Sequence, residues 1–178
     1  MDKLCAIIDA QGFIVNGKFY IRELAFTKMN SSTVHCWNVE IPINFEKLIN
    51  KDKITNDYIR RNISGLPFNI SSDVSNYIKY EKLNAFIGYL YNKSCSLDCK
   101  YFGIKNPQLA EMFIGLDIPF ISLDDDIPTV RKLHKFYRMT VFCPKHTENI
   151  RGTCSAQKVD HIKKWITDTL QFDKEILL

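Results

Sequence analysis

The sequence has no apolar run approaching the roughly 18 to 20 residues that cross a bilayer, and no secretory leader. Met1, Asp2, Lys3 and Leu4 run straight into a strand-like segment. A membrane or secreted protein is therefore not expected, and the reading places the chain in the cytoplasm, the nucleus or both. An internal repeat and a low-complexity linker are also missing, so one domain over residues 1–178 is expected. The six cysteines sit in a chain too large to depend on disulfides and without a leader, which favours reduced thiols or metal ligands. Net charge is low, at +4, which permits a nucleic-acid partner without demanding one.

What is present is a core-forming composition, 46% hydrophobic and 12% aromatic, arranged in two patterns. The first forty residues alternate as strands: Leu4 to Asp9, then Phe13 to Val15 leading into Phe19 to Phe26, then Thr33 to Ile41. Gln11-Gly12 reads as a break between the first two, and Asn16-Gly17 as a two-residue hairpin turn. Helical spacing follows at Phe45, Leu48 and Ile49 and at Ile54, Tyr58 and Ile59. A helix start at Ser71 to Val74 leads a stripe of Val74, Ile78, Leu83, Phe86, Ile87 and Leu90. Cys99 to Ile104 and Phe120 to Leu123 read as strands around a helix begun by Asn106-Pro107. Thr129 to Tyr137 and Ala156 to Leu170 read as the last helices. Strands alternating with helices pair in parallel, so the expected fold is α/β: a mixed sheet, antiparallel at its start, flanked by helices.

The chemistry concentrates late in the chain. Cys143-Pro144-Lys145-His146 followed by Cys154 has a short gap for a tight turn and a longer one for the return, a spacing that suits three ligands on one zinc ion. A closed tetrahedral site needs a fourth, either His161, seven residues beyond Cys154, or a residue supplied by the fold. Cys95-x-x-x-Cys99 is a weaker metal spacing, and Asp124-Asp125-Asp126 reads as a solvated loop capping the next helix. The same third of the chain is basic. Arg131, Lys132, Lys135, Arg138, Lys145, Lys158 and Lys163, joined by Arg60 and Arg61 and with Tyr137 as a stacking platform, are candidate contacts to single-stranded RNA.

The order of elements resembles the ribonuclease H-like fold of DEDD-type 3′-5′ exonucleases, with Asp9 where those enzymes place a first-strand metal ligand. Their second carboxylate is Gln11 here, and the position after His146 that would carry an acidic partner is Arg151. The chain is more similar to the Maelstrom domain, a relative in which a Glu-Cys-His-Cys zinc motif replaces the acidic set. The similarity lies in Cys143-x-x-His146 and Cys154, in Glu23 within Ile21-Arg22-Glu23-Leu24-Ala25, in Asp9-x-x-Gly12-Phe13, in Arg61-Asn62-x-x-Gly65, in the short strand near Gly103 and in Cys154-Ser155-Ala156-x-x-Val159. The high-mobility-group box of animal members has no counterpart in residues 1–40.

The resemblance implies Glu23 as the fourth ligand and a structural, non-catalytic zinc. It further implies single-stranded RNA as partner, protein partners of an RNA-silencing pathway, and a place in piRNA-type transposon silencing. Some members cleave RNA as metal-independent endonucleases; no catalytic residue is assigned here. A carboxylate drawn inward among Ile21, Leu24 and Phe26 needs a cation, which zinc, lysine or arginine would equally supply. Two alternatives stay open: an exonuclease-type fold without chemistry, serving as a scaffold for protein partners, and a residual two-metal 3′-5′ exonuclease using Asp9.

Overall fold

The computed structural model describes residues 3–70, 76–124, 127–137 and 154–176, without the side chains of residue 130 and of 170–176. Six strands form one sheet in the order β4-β3-β2-β1-β5-β6. β1 (Leu4–Val15), β2 (Lys18–Lys28) and β3 (Val34–Val39) are an antiparallel meander turned at Asn16-Gly17, both in the left-handed region at φ 51° and 76°. β5 (Tyr101–Ile104) joins β1 in parallel and β6 (Phe120–Ser122) joins β5 in parallel, while β4 (Tyr77–Ile78) pairs with β3 at the other edge. The α/β, mixed-sheet expectation stands.

Helices cover both faces. On one side α2 (Leu83–Ser94) and α3 (Pro107–Gly115) bury Leu83, Ile87, Leu90, Leu109 and Phe113 against Ile8, Ala10, Leu24, Phe26 and Phe102. On the other, α4 (Val130–Phe136) and α5 (Ser155–Ile176) bury Leu133, Val159, Ile162 and Ile166 against Leu4, Ile7 and Ala25. The α5 stripe is the one its i, i+3, i+4, i+7 spacing dictates. Asn106 starts α3 as expected: its side chain accepts from the amides of Gln108 and Leu109, and it also donates to the Ala10 carbonyl at 2.8 Å. Among the described residues no helix is long and apolar enough to cross a membrane.

Three sequence expectations are corrected. Gln11-Gly12 is not a turn: β1 runs through it, and the register with β2 shifts there instead. Ile78 is a residue of β4 and not of a helical stripe, while the expected helix start at Ser71 to Val74 lies outside the described residues. The helical stretch α1 (Asn50–Tyr58) is turned over, with Ile54 72% and Tyr58 60% exposed and Asp52 and Asn56 buried.

The free edge of β1 explains that inversion. Beyond Ile8, where β5 ends, the outward backbone groups of β1 have no strand to pair with. Asn56 bonds both groups of Ile14, accepting from its N–H at 2.9 Å and donating to its C=O at 2.7 Å, and Asp52 accepts from the Asn16 N–H at 2.9 Å. Closing a strand edge outweighs burying two apolar side chains that solvent tolerates.

Candidate metal centre

A bulge in β2 sets the centre. Gln11 stands opposite Glu23 and the next residue, Gly12, stands opposite Ile21, so Arg22 is the extra residue on its strand. Ile21 and Leu24 therefore both enter the α2/α3 core. Arg22 and Glu23 between them are both buried, at 3% and 0% exposure, in the interior away from that core. Strict alternation would have separated these two neighbours across the sheet. Arg22 is held by the Pro67 carbonyl (2.9 Å from Nε) and by Asn38 Oδ1 (3.1 Å from Nη1). Burial pushes its guanidinium down and the adjacent Glu23 charge pushes it back up.

Glu23 reaches the start of α5, where its Oε1 accepts the Ser155 amide at 3.1 Å. That amide belongs to the first turn of a 22-residue helix, whose unsatisfied N–H groups and dipole favour an anion. The residue before it is Cys154, 2% exposed in the α5-side core. Two residues 131 positions apart are thus brought to one place, and they are the only two of the four ligand candidates that lie within the described residues. Cys143 and His146 lie outside them, as do Arg138 and Lys145. Among the described residues no three His, Cys, Asp or Glu side chains are grouped to hold a metal. A buried carboxylate and a buried thiol one residue along the chain from the amide it accepts are an oxygen and a sulfur donor of the kinds zinc takes. The same carboxylate also has a cationic neighbour in Arg22 and a helix N-terminus.

His161 is placed elsewhere. Two helical turns, about 10 Å, separate it from Cys154 along α5, and its ring packs edge-on against His134 of α4 with centroids 4.7 Å apart. Tyr137 completes that contact and donates its hydroxyl to Asp168 at 2.8 Å, which together with burial pushes the phenol up to about 12. Tyr137 therefore ties α4 to α5 rather than standing out as a platform.

Asp9, two residues before Gln11 on the same face of β1, is buried at Oδ2 3.3 Å from the Lys158 ammonium, one turn into α5. Burial pushes its carboxyl above the usual range and Glu23 adds to that, while Lys158 and the Ser155 hydroxyl oppose it. The counter-ion of Asp9 is thus a lysine of the chain itself, which sequence reasoning had assigned to RNA. The i to i+4 step from Cys154 to Lys158 was visible in the sequence, but nothing in it pointed to Asp9.

The other described cations differ in how far they are engaged within the chain. Arg60 and Arg61 both pair with Asp57, at 2.6 and 2.8 Å, in the π-helical stretch Ile59–Ser64. The Lys163 ammonium donates to the Lys28 and Ser31 carbonyls and is pushed down by burial. Arg131, Lys132 and Lys135 are exposed on α4. The Cys95 and Cys99 pair gains a neighbour that the sequence reading missed, Cys5 of β1, and burial raises the Cys5 and Cys99 thiols to about 11. Such thiols are protonated near neutrality and unreactive. No family model, no curated protein and no solved structure matches this chain.

Proposed function

We propose that this chain is a Maelstrom-type domain on a ribonuclease H-like fold, which binds single-stranded RNA and holds a structural zinc through Glu23, Cys143, His146 and Cys154. The observation that carries the reading is the buried Glu23 carboxylate on the Ser155 amide, beside Cys154. Four protein ligands leave no open position for water or substrate, so the ion would fasten α5 to the central strands and would not activate a nucleophile. RNA would be met by exposed cations, of which Arg131, Lys132 and Lys135 on α4 are the described group best placed. The cellular setting that goes with this reading is RNA silencing of transposons, in cytoplasm or nucleus, alongside protein partners of that pathway.

A second reading has its own support. The Asp9–Lys158 pair supplies internally the cation that a two-metal nuclease takes from solution, and Gln11 stands where its second carboxylate would be needed. Both weigh against a residual exonuclease and favour a fold kept as a protein scaffold.

The test is metal content of the wild type beside Glu23→Ala and Cys154→Ala, followed by RNA titration. One zinc per chain, lost in both variants, and single-strand binding whose logarithm falls linearly with log salt, are expected. A metal-free wild type leaves Glu23 as a helix cap and removes the zinc reading. Absent RNA binding at low salt, with partner proteins retained after nuclease treatment, would transfer the function to the scaffold.

A further inference from the structure

β3 and α2 meet through Trp37 and Phe86, whose rings touch edge-on with centroids 5.0 Å apart. From that contact the rings run on in both directions. His35 lies parallel to Trp37, within 7° and 5.5 Å between centroids, and Tyr89 follows Phe86 along α2 at 6.5 Å. Buried Phe26, 6.5 Å from both His35 and Trp37, backs the β3 pair from the core side. The series ends in solvent: Trp37 and Phe86 are half-buried, His35 is exposed and Tyr89 is 55% exposed. Single exposed aromatics are ordinary, but rings in unbroken contact across a surface mark an interaction site. Among the described residues nothing pairs with the outer edge of β3 before Asn38, where β4 joins.

Positive charge brackets these rings. Lys82, just before α2, then Phe86, Tyr89 and Lys93 follow at helical spacing on one face. Lys28 reaches the far end of that helix, its ammonium donating to the Lys93 carbonyl at 2.8 Å. Glu81 is the only carboxylate between Lys79 and Lys93, and β3 has none. Among the described residues neither Lys82 nor Lys93 is paired with a carboxylate. That combination selects the partner. A proline-rich peptide uses rings without needing cations, and an acidic peptide uses cations and leaves the rings idle. Unpaired bases joined by phosphates use both, whereas a duplex hides its base faces. We propose that the β3–α2 seam binds single-stranded RNA, with bases stacked on His35 and Tyr89 and phosphates met by Lys82 and Lys93 at its two ends. The inference rests on the RNA-binding reading and adds to it a stacking surface, on the face of the sheet opposite α4.

The test titrates the full chain with a fluorescent oligoriboadenylate, with a strand of equal length whose sugars carry no bases, and with oligoglutamate, following anisotropy. Tyr89→Ala and His35→Thr change surface side chains to residues that suit a helix and a strand, so both should melt like wild type. Each should weaken the oligoadenylate by about tenfold, the worth of one stacked base. The abasic strand should bind wild type at least about tenfold more weakly and be indifferent to both variants. Lys93→Ala should lower the slope of log affinity against log salt by about 0.7, the loss of one phosphate contact. If the oligoadenylate binds wild type and both ring variants alike, the stacking surface is overturned and RNA binding stands. If no RNA binds at low salt, both fall, and oligoglutamate binding that Lys93→Ala removes would give the surface to an acidic protein partner instead.

Discussion

Replacing Gly12 by alanine should strongly destabilise the pairing of the two central strands. A Cβ at this position would lie 1.9 Å from the Tyr20 carbonyl oxygen, 2.8 Å from its carbon and 3.0 Å from Ile21 Cα, all backbone atoms of the paired strand. Ordinary contact begins near 3.4 Å, so no rotamer change relieves the clash, and β1 and β2 must part locally. An opening of about 1.5 Å carries a ladder hydrogen bond of about 2.9 Å well beyond bonding range. Each lost bond costs about 1 kcal/mol, and each buried group left unpaired about 1–3 kcal/mol more, so a loss of about 3–5 kcal/mol is expected. That is a large share of the about 5–15 kcal/mol that holds a typical domain folded.

Urea denaturation followed by far-UV circular dichroism measures it, with Gly88→Ala as the internal control. Gly88 lies within α2 and a Cβ there meets nothing within 4 Å, so alanine should stabilise by about 0.5–1 kcal/mol. A Gly12→Ala protein within about 1 kcal/mol of wild type would refute the bulge reasoning. The consequence reaches the site, because Glu23, which accepts the Ser155 amide at the start of α5, is paired with Gln11 at that bulge. Any folded fraction of the variant should therefore also hold less zinc than wild type.

Asn56→Ala should cost about 1–3 kcal/mol by leaving both Ile14 backbone groups unpaired, whereas Ile54→Lys should stay within about 0.5 kcal/mol of wild type. Reversal of that order in denaturant titrations would mean that α1 packs by its apolar residues after all. For Tyr137 the folded-state value is raised to about 12 from 10.0, so its contribution to stability is complete below pH 10 and is lost as pH climbs through 12. The difference between the ultraviolet tyrosinate titrations of wild type and Tyr137→Phe should show a midpoint near 12. A midpoint at 10 would remove the Asp168 hydrogen bond from the account.

The periodic elements were legible because their signals are local. The Asn16-Gly17 turn, the Asn106 cap, the α2 stripe of Leu83, Ile87 and Leu90 and the α5 stripe of Val159, Ile162 and Ile166 follow from turn chemistry and helical spacing alone. Gln11-Gly12 misled because glycine marks both a turn and a close backbone approach, and only the facing Tyr20 carbonyl distinguishes the two. Ile54 and Tyr58 misled because their spacing fits a buried helical face, while the unpaired edge of β1 that Asn56 and Asp52 satisfy is visible only once β5 is seen to end at Ile104.

The site divides along the same line. Residue types and spacings by themselves determined that the chain carries thiol and imidazole ligands in a metal-like pattern, a lone early aspartate and a basic last third. Tertiary structure decided which of these meet. It set Glu23 on the Ser155 amide beside Cys154, gave Asp9 to Lys158 and spent Lys163 on carbonyls. Each of these outcomes depends on where α5 lands on a sheet built more than a hundred residues earlier. Long-range docking is fixed by the complementarity of two finished surfaces, and no local pattern along the chain encodes it.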